Sequence, residues 1–135
     1  MCKGGVWLMI DISSRVYSNL VGDETLQKYL KGSGTTKNDK PPAFPYMYVK
    51  TLGEPTTSAS LQNDQCTIKA SFEITVYDSK SSTTAKQLIF HVAELMRQMG
   101  FTMNYGPTEI DRSSTTEAYR WLARFRRTFG AGDSL

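Results

Sequence analysis

Two periods of hydrophobic and polar residues organise this chain, and the clearest switch between them lies in residues 65–101. From Cys66 to Tyr77, the residues Cys66, Ile68, Ala70, Phe72, Ile74 and Val76 alternate with Thr67, Lys69, Ser71, Glu73, Thr75 and Tyr77. A period of two points one face of a strand at a core and the other at water. After Asp78 the period lengthens. Ala85, Leu88, Ile89, Val92, Leu95, Met96 and Met99 fall within an arc of about 120° at about 100° per residue, which predicts an amphipathic helix. Ser81, Ser82 or Thr84 can cap its start, with Thr84 and Gln87 at capping-box spacing, and Gly100 suits the left-handed position just past its end. A return strand is expected from Phe101.

Upstream, Met9, Ile12, Val16 and Leu20 share a face, opposite Asp11, Ser14, Arg15 and Ser18, which predicts a first helix from Met9 to Leu20 ended by Gly22. Asp23 can cap a second, short helix through Leu30, with Leu26, Tyr29 and Leu30 turned inward. The run KGSGTTKNDKPP that follows is too polar and too rich in glycine and proline to bury a core and is expected to be a loop. Phe44–Leu52 is the first expected strand, with Pro45 tolerated near its end, and its partner is the strand that begins at Gln65. The polar connection Gly53–Asp64 is about twice as long as an ordinary hairpin loop.

Downstream, Phe101–Tyr105 reads as a short strand broken by Gly106 and Pro107, with a second polar loop over Thr108–Glu117. In the last strand Tyr119, Trp121, Ala123, Phe125 and Phe129 occupy one face. Arg120, Leu122, Arg124 and Arg126 occupy the other, and Arg127 interrupts the apolar side. The predicted order is α-α-β-β-α-β-β. It describes an α+β domain, a mixed or antiparallel sheet of about four strands with helices packed on one face.

At 135 residues the chain suits a single domain, 1–135, with residues 1–8 and 130–135 expected to be flexible. Hydrophobic residues make up 39% and charged residues 21%, and no apolar run approaches the ~20 residues that span a bilayer. Val6–Ile12 is apolar but too short, and no small-residue cleavage site follows it, so synthesis is expected to end in a cytoplasm. Cys2 and Cys66 form neither a metal-like pair nor a disulfide framework; Cys66 lies on the inward face of its strand and reads as core. A net charge of +3 is mild, so its distribution matters more than its size.

The residues that carry chemistry elsewhere do not form sets here. His91, the one histidine, sits at the border of the helix's apolar arc with Glu94 one turn on and lacks the further ligands a zinc or iron site needs. Glu54, Glu73, Asp78, Glu94, Glu109 and Asp111 are scattered singly rather than paired as acid and base. There is no G-x-S-x-G elbow, no dinucleotide fingerprint and no P-loop. The expectation is a protein that is not an enzyme, with no cofactor and no metal.

The run FEITVYDSKSSTTAKQLIFHVAELMRQMGF, followed after a polar loop by YRWLARFRRTF, resembles the C-terminal half of the tail terminator, or tail completion, proteins of long-tailed bacteriophages. FPYMYVKTLGEP and SNLVGDETLQKYL resemble that family's first strand and N-terminal helices, so the likeness covers most of the chain. It lies in the order and spacing of elements. What it implies is a structural virion protein that forms a ring, a hexamer in expectation, on the last ring of the major tail tube protein. Such a ring ends tube polymerisation and offers the surface for head-tail joining to a head-completion or connector protein. It would sit at the head-proximal end of the tail after assembly in the host cytoplasm, with no membrane and no specific nucleic acid as partner. The alternatives are another neck component, a head-closure or connector protein, and a small α+β nucleic-acid-binding domain.

Three stretches are expected to make the contacts. The resemblance implies that an extended hairpin reaches a neighbouring subunit, which draws in Glu54, Thr57, Leu61 and Asp64. Phe90 projects on the polar side of its helix among Lys86, Glu94 and Arg97, the arrangement found at the centre of subunit contacts. Tyr46 and Tyr48, two apart on the first strand, can be read either as subunit contacts or as singly exposed side chains of no further meaning. The row Arg120, Arg124 and Arg126 is the sharpest charge feature; it suits an acidic protein neighbour or a nucleic-acid platform. Protein is the expected partner, because Tyr119, Trp121 and Phe125 alternate onto the opposite, core-facing side.

Overall fold

The computed structural model describes residues 5–35, 44–52, 56–59, 66–110 and 118–129, with side chains described from residue 12 in the first helix and from residue 69 in the long central strand. The elements are α1 (Gly5–Val21), α2 (Glu24–Tyr29), β1 (Gly32–Gly34), β2 (Tyr46–Thr51), β3 (Thr56–Ala59), β4 (Cys66–Asp78), α3 (Ser82–Gln98), β5 (Thr102–Ile110) and β6 (Tyr119–Phe129). Strand β4 is the spine of a mixed sheet with strand order β1-β2-β4-β6-β5. β6 runs antiparallel along one edge of β4 from Ile68 to Asp78. The other edge is shared: β2 pairs with Phe72–Tyr77 and β3 with Cys66–Lys69.

The alternation in β4 does what its period requires. Ala70, Phe72, Ile74 and Val76 are buried, and the strand register sets Met47 and Val49 of β2 and Ala123 and Phe125 of β6 beside them on the same face. Helices α1 and α3 cover that face through Ile12, Val16 and Leu20, and through Ala85, Leu88, Ile89, Val92 and Met96, in one continuous core. Burying a leucine- or phenylalanine-sized side chain contributes about 1.5–3 kcal/mol, so this layer holds the fold together. Phe101 stacks edge-on against both Phe72 and Phe129, joining the end of α3 to the sheet. The arrangement is the expected α+β layer with helices on one side.

The boundaries differ from expectation where backbone geometry, not side-chain pattern, decides. Helix α1 begins at Gly5, ahead of Met9, and ends before Gly22 as expected. Asp23 caps α2 by accepting from the Leu26 amide at 3.1 Å, but Tyr29 points outward and is 49% exposed. Leu30, the extended residue that closes α2 by donating its amide to the Leu26 carbonyl, is half-buried. The cap of α3 is Ser81, whose Oγ accepts from the Thr84 amide at 3.3 Å, so Thr84 belongs to the first turn. Gly100 adopts φ +84° after α3, as its position predicted.

Three strand segments escaped the sequence pattern. Gly32–Gly34, expected to be loop, pairs in parallel with Tyr46–Tyr48, and the Tyr46 ring lies 2.9 Å from where a Cβ on Gly32 would stand. Thr56–Ala59, inside the expected Gly53–Asp64 connection, forms β3; residues 53–55 and 60–65 lie outside the described residues. β5 is not broken at Gly106 and Pro107. It continues to Ile110 with register shifts between Met103 and Tyr105 and between Tyr105 and Thr108, and Gly106 at φ +78° absorbs the irregularity. The sheet therefore has six strands rather than about four. The remainder of the expected Thr108–Glu117 loop, 111–117, also lies outside the described residues.

Candidate assembly surfaces

The first surface is the outer side of α3. Phe90 is 49% exposed, between Lys86 one turn before it and Glu94 one turn after. Arg97 donates from Nε to Glu94 at 3.0 Å and from Nη2 to the same carboxylate. That pair holds the Glu94 carboxyl below its ordinary value and the Arg97 guanidinium above its own, each chiefly through the bond to the other. Lys86 leans its Nζ to 5.7 Å from the centre of the Trp121 ring, whose Nε1 donates to Ser82 at 2.9 Å. An aromatic ring is thus left uncovered among charges that are largely answered by their neighbours.

His91 does not work with Glu94. Its Nε2 lies 2.7 Å from Asp23 Oδ2, tying α3 to the cap of α2. Burial tends to raise the Asp23 carboxyl, but the bond to His91 and those from the Leu26 and Thr25 amides outweigh it, and the net effect is a lowered pKa. The role this geometry supports is a tertiary clasp.

The second surface is the sheet face away from the helices, and the registers set its side chains in rows across β2, β4, β6 and β5. One row reads Tyr46, Tyr77, Arg120, Ile110; the next Tyr48, Thr75, Leu122, Thr108; the next Lys50, Glu73, Arg124, Tyr105. Ser71, Arg126 and Thr102 follow, then Lys69 and Thr128. The face is therefore divided. Its first half is aromatic and apolar: the Tyr46 and Tyr77 rings stand 6.4 Å apart, Leu122 is 7% exposed, and Thr75 is buried. Burial raises the phenol pKa of both tyrosines, at Tyr77 against an opposing pull from Arg120. The second half is basic: Arg124 Nε donates to Glu73 at 3.0 Å and its guanidinium lies 5.1 Å from the centre of the Tyr105 ring.

Among the described residues no cluster of three or more histidine, cysteine, aspartate or glutamate side chains could hold a metal, and no helix is long and apolar enough to cross a membrane. A cleft of about 250 Å³ between α1, α2 and β1 is lined by Val21, Leu26, Gln27, Leu30, Lys31, Gly32 and Ser33, without a convergent set of polar groups.

The fold is shared with a bacteriophage protein. Bacteriophage SPP1 gp17 superposes with a TM-score of 0.58 over 95% of this chain and 95% of its own, at 12% sequence identity. At that identity the likeness is one of fold. No protein-family model matches the sequence. Comparison with curated proteins likewise finds no match.

Of the residues expected at contacts, Lys86, Phe90 and Arg97 gather on the outer side of α3, while Arg120, Arg124 and Arg126 lie on the opposite side of the molecule. The two groups make separate surfaces. Thr57 lies in β3 opposite Ile68, and Glu54, Leu61 and Asp64 lie outside the described residues. Leu122, read as part of a wet face, is buried there yet stands outside the main core, between Thr75 of β4 and Thr108 of β5. Its alternation with arginines showed which face it takes, but only the registers show which neighbours shield it. Arg127, which breaks the apolar side of β6, donates from Nη1 to the Met99 carbonyl at 2.6 Å and lies 4.2 Å from the Phe129 ring centre, so it seals the end of α3.

Proposed function

We propose that this protein is a structural component of a long-tailed phage virion that forms a ring capping the tail tube, ends tube polymerisation and offers the surface for head-tail joining. The observation that carries this reading is a convergence. The order of elements in the sequence resembles phage tail terminators, and the folded chain matches a phage protein over nearly the whole of both chains. The geometry supports it in kind, because a head-to-tail ring needs two different contact surfaces on one subunit. Here the uncovered Phe90 on α3 and the aromatic half of the open sheet face, with Tyr48, Tyr77 and Arg120, lie on opposite sides of the sheet. The strand that holds Thr57 extends the same edge of β4 that β2 occupies. In the assembled virion the ring, a hexamer, would contact the major tail tube protein on one side and a head-completion or connector protein on the other.

Electron microscopy of the purified protein mixed with tubes of the cognate tail protein tests this directly. The expected outcome is rings seated on tube ends and a fixed tube length. Rings that leave tubes uncapped but bind heads would assign the protein to another position in the neck. A monomer at all concentrations, with tubes growing unchecked, would overturn the proposal.

A further inference from the structure

We infer that the basic half of the open sheet face, formed by Lys50, Lys69, Arg124 and Arg126, makes a sequence-independent contact with the phosphodiester backbone of a nucleic acid. The inference rests on this face alone and does not require a ring. Charge is segregated here. Among the described carboxylates only Glu73 projects on this side, and Arg124 engages it. Asp23, Glu24 and Glu94 belong to the helical layer, while Asp78 is turned into the turn before α3, where it accepts from the Lys80 and Ser81 amides, and Glu109 accepts from Ser82. Lys50, Lys69 and Arg126 are exposed and make no ion pair among the described residues. Among the described residues, this half of the face carries four cations, Lys50, Lys69, Arg124 and Arg126, against the one carboxylate of Glu73.

The residues between those cations indicate what they meet. Ser71 and Thr102 flank Arg126 on the neighbouring strands, and Thr128 stands opposite Lys69. Contacts between proteins close around a charge-depleted core of large apolar or aromatic side chains, and this end of the face has none between its cations. Hydroxyls interspersed with arginine and lysine are instead the donors that phosphate oxygens accept from, and they hold a backbone without reading bases. Neighbouring strands are about 4.8 Å apart and alternate residues on a strand about 6.7 Å, so the patch spans on the order of 15 Å. That length covers about four phosphates of one strand at 3.4 Å each along the duplex axis. Tyr105 does not alter this. Its ring lies beneath the Arg124 guanidinium and orients that group.

Fluorescence anisotropy with a labelled 20-base-pair duplex, from about 20 to 200 mM salt, tests the assignment. Binding at the low end is expected to fall about a thousandfold over that range, a log-log slope near −3 for three to four neutralised phosphates. It should be the same for a second, unrelated sequence. Arg126→Ala and Lys69→Ala should each lower the slope by about one unit, while Arg126→Lys should restore it and Lys86→Ala, on the helical side, should leave it unchanged. No binding at 20 mM salt would overturn the inference, as would a slope indifferent to Arg126→Ala and Lys69→Ala. Binding of polyglutamate as tight as that of the duplex would also overturn it, in favour of an acidic protein partner.

Discussion

Gly106 and Gly100 both hold left-handed backbone, yet substituting them should have very different consequences. At φ +78° and +84° respectively, an alanine at either site meets the left-handed penalty of about 1–2 kcal/mol. The difference is what the new Cβ touches. At Gly106 it would stand 2.4 Å from the Leu122 carbonyl oxygen and 3.1 Å from Ala123 Cα, both main chain of the adjacent strand. Carbon–oxygen contacts of this kind rest at about 3.3–3.6 Å, so β5 must withdraw from β6 by close to an ångström. Each ladder bond lost in doing so costs about 1 kcal/mol. Set against a gain of about 0.4–1 kcal/mol from a less flexible unfolded chain, Gly106→Ala should destabilise by about 2–4 kcal/mol. At Gly100 the Cβ meets the Arg127 guanidinium at 3.1 Å, the far end of a flexible side chain that can shift, so with the same offset Gly100→Ala should cost about 1 kcal/mol. Urea unfolding followed by tryptophan fluorescence measures both, because Trp121 lies on β6 opposite Glu109 of β5. Amide exchange should show the loss at Gly106 concentrated in β5. Equal destabilisation of the two variants would refute the view that strand contact, rather than φ alone, demands glycine at 106.

Leu88→Ala should destabilise the fold by about 2–5 kcal/mol, since Leu88 is buried in the core beneath α3. Phe90→Ala should leave the melting temperature within a degree or two of the parent, on the order of 0.5 kcal/mol for a surface change, and weaken self-association as measured by sedimentation. A Phe90→Ala protein that melts like Leu88→Ala would place Phe90 in the fold rather than the contact. Asp23 sets part of the acid limb of stability: its folded pKa lies below the ordinary 3.8, so its contribution is present above that value and lost as the pH falls through the folded one. Asp23→Asn should therefore flatten the stability profile between about pH 5 and pH 2, measured by urea unfolding at successive pH values. An unchanged profile would show that the clasp to His91 does not operate in solution.

The elements whose hydrophobic period is long and regular were legible from the chain alone. β4, α3, α1 and β6 each repeat a pattern often enough for one face to be unambiguous, and Asp23 and Gly100 mark ends that backbone geometry makes recognisable. Phe90 could be picked out as exposed for the same reason, since a residue opposite seven apolar positions has nowhere else to point. Tertiary structure alone decided the rest. β1 is Gly-Ser-Gly and β3 is Thr-Thr-Ser-Ala, segments that become strands through main-chain bonds offered by β2 and β4 and that carry no side-chain period to announce them. Gly106 and Pro107 signal a break in isolation, but β6 beside them holds the strand together through a bulge. The open face is likewise a product of register. Tyr105 reaches Arg124 from β5, Glu73 and Lys50 come from β4 and β2, and residues this far apart in sequence become neighbours only when strand order and pairing are set. A row of arginines can be read from one strand; what stands beside each of them belongs to the whole sheet.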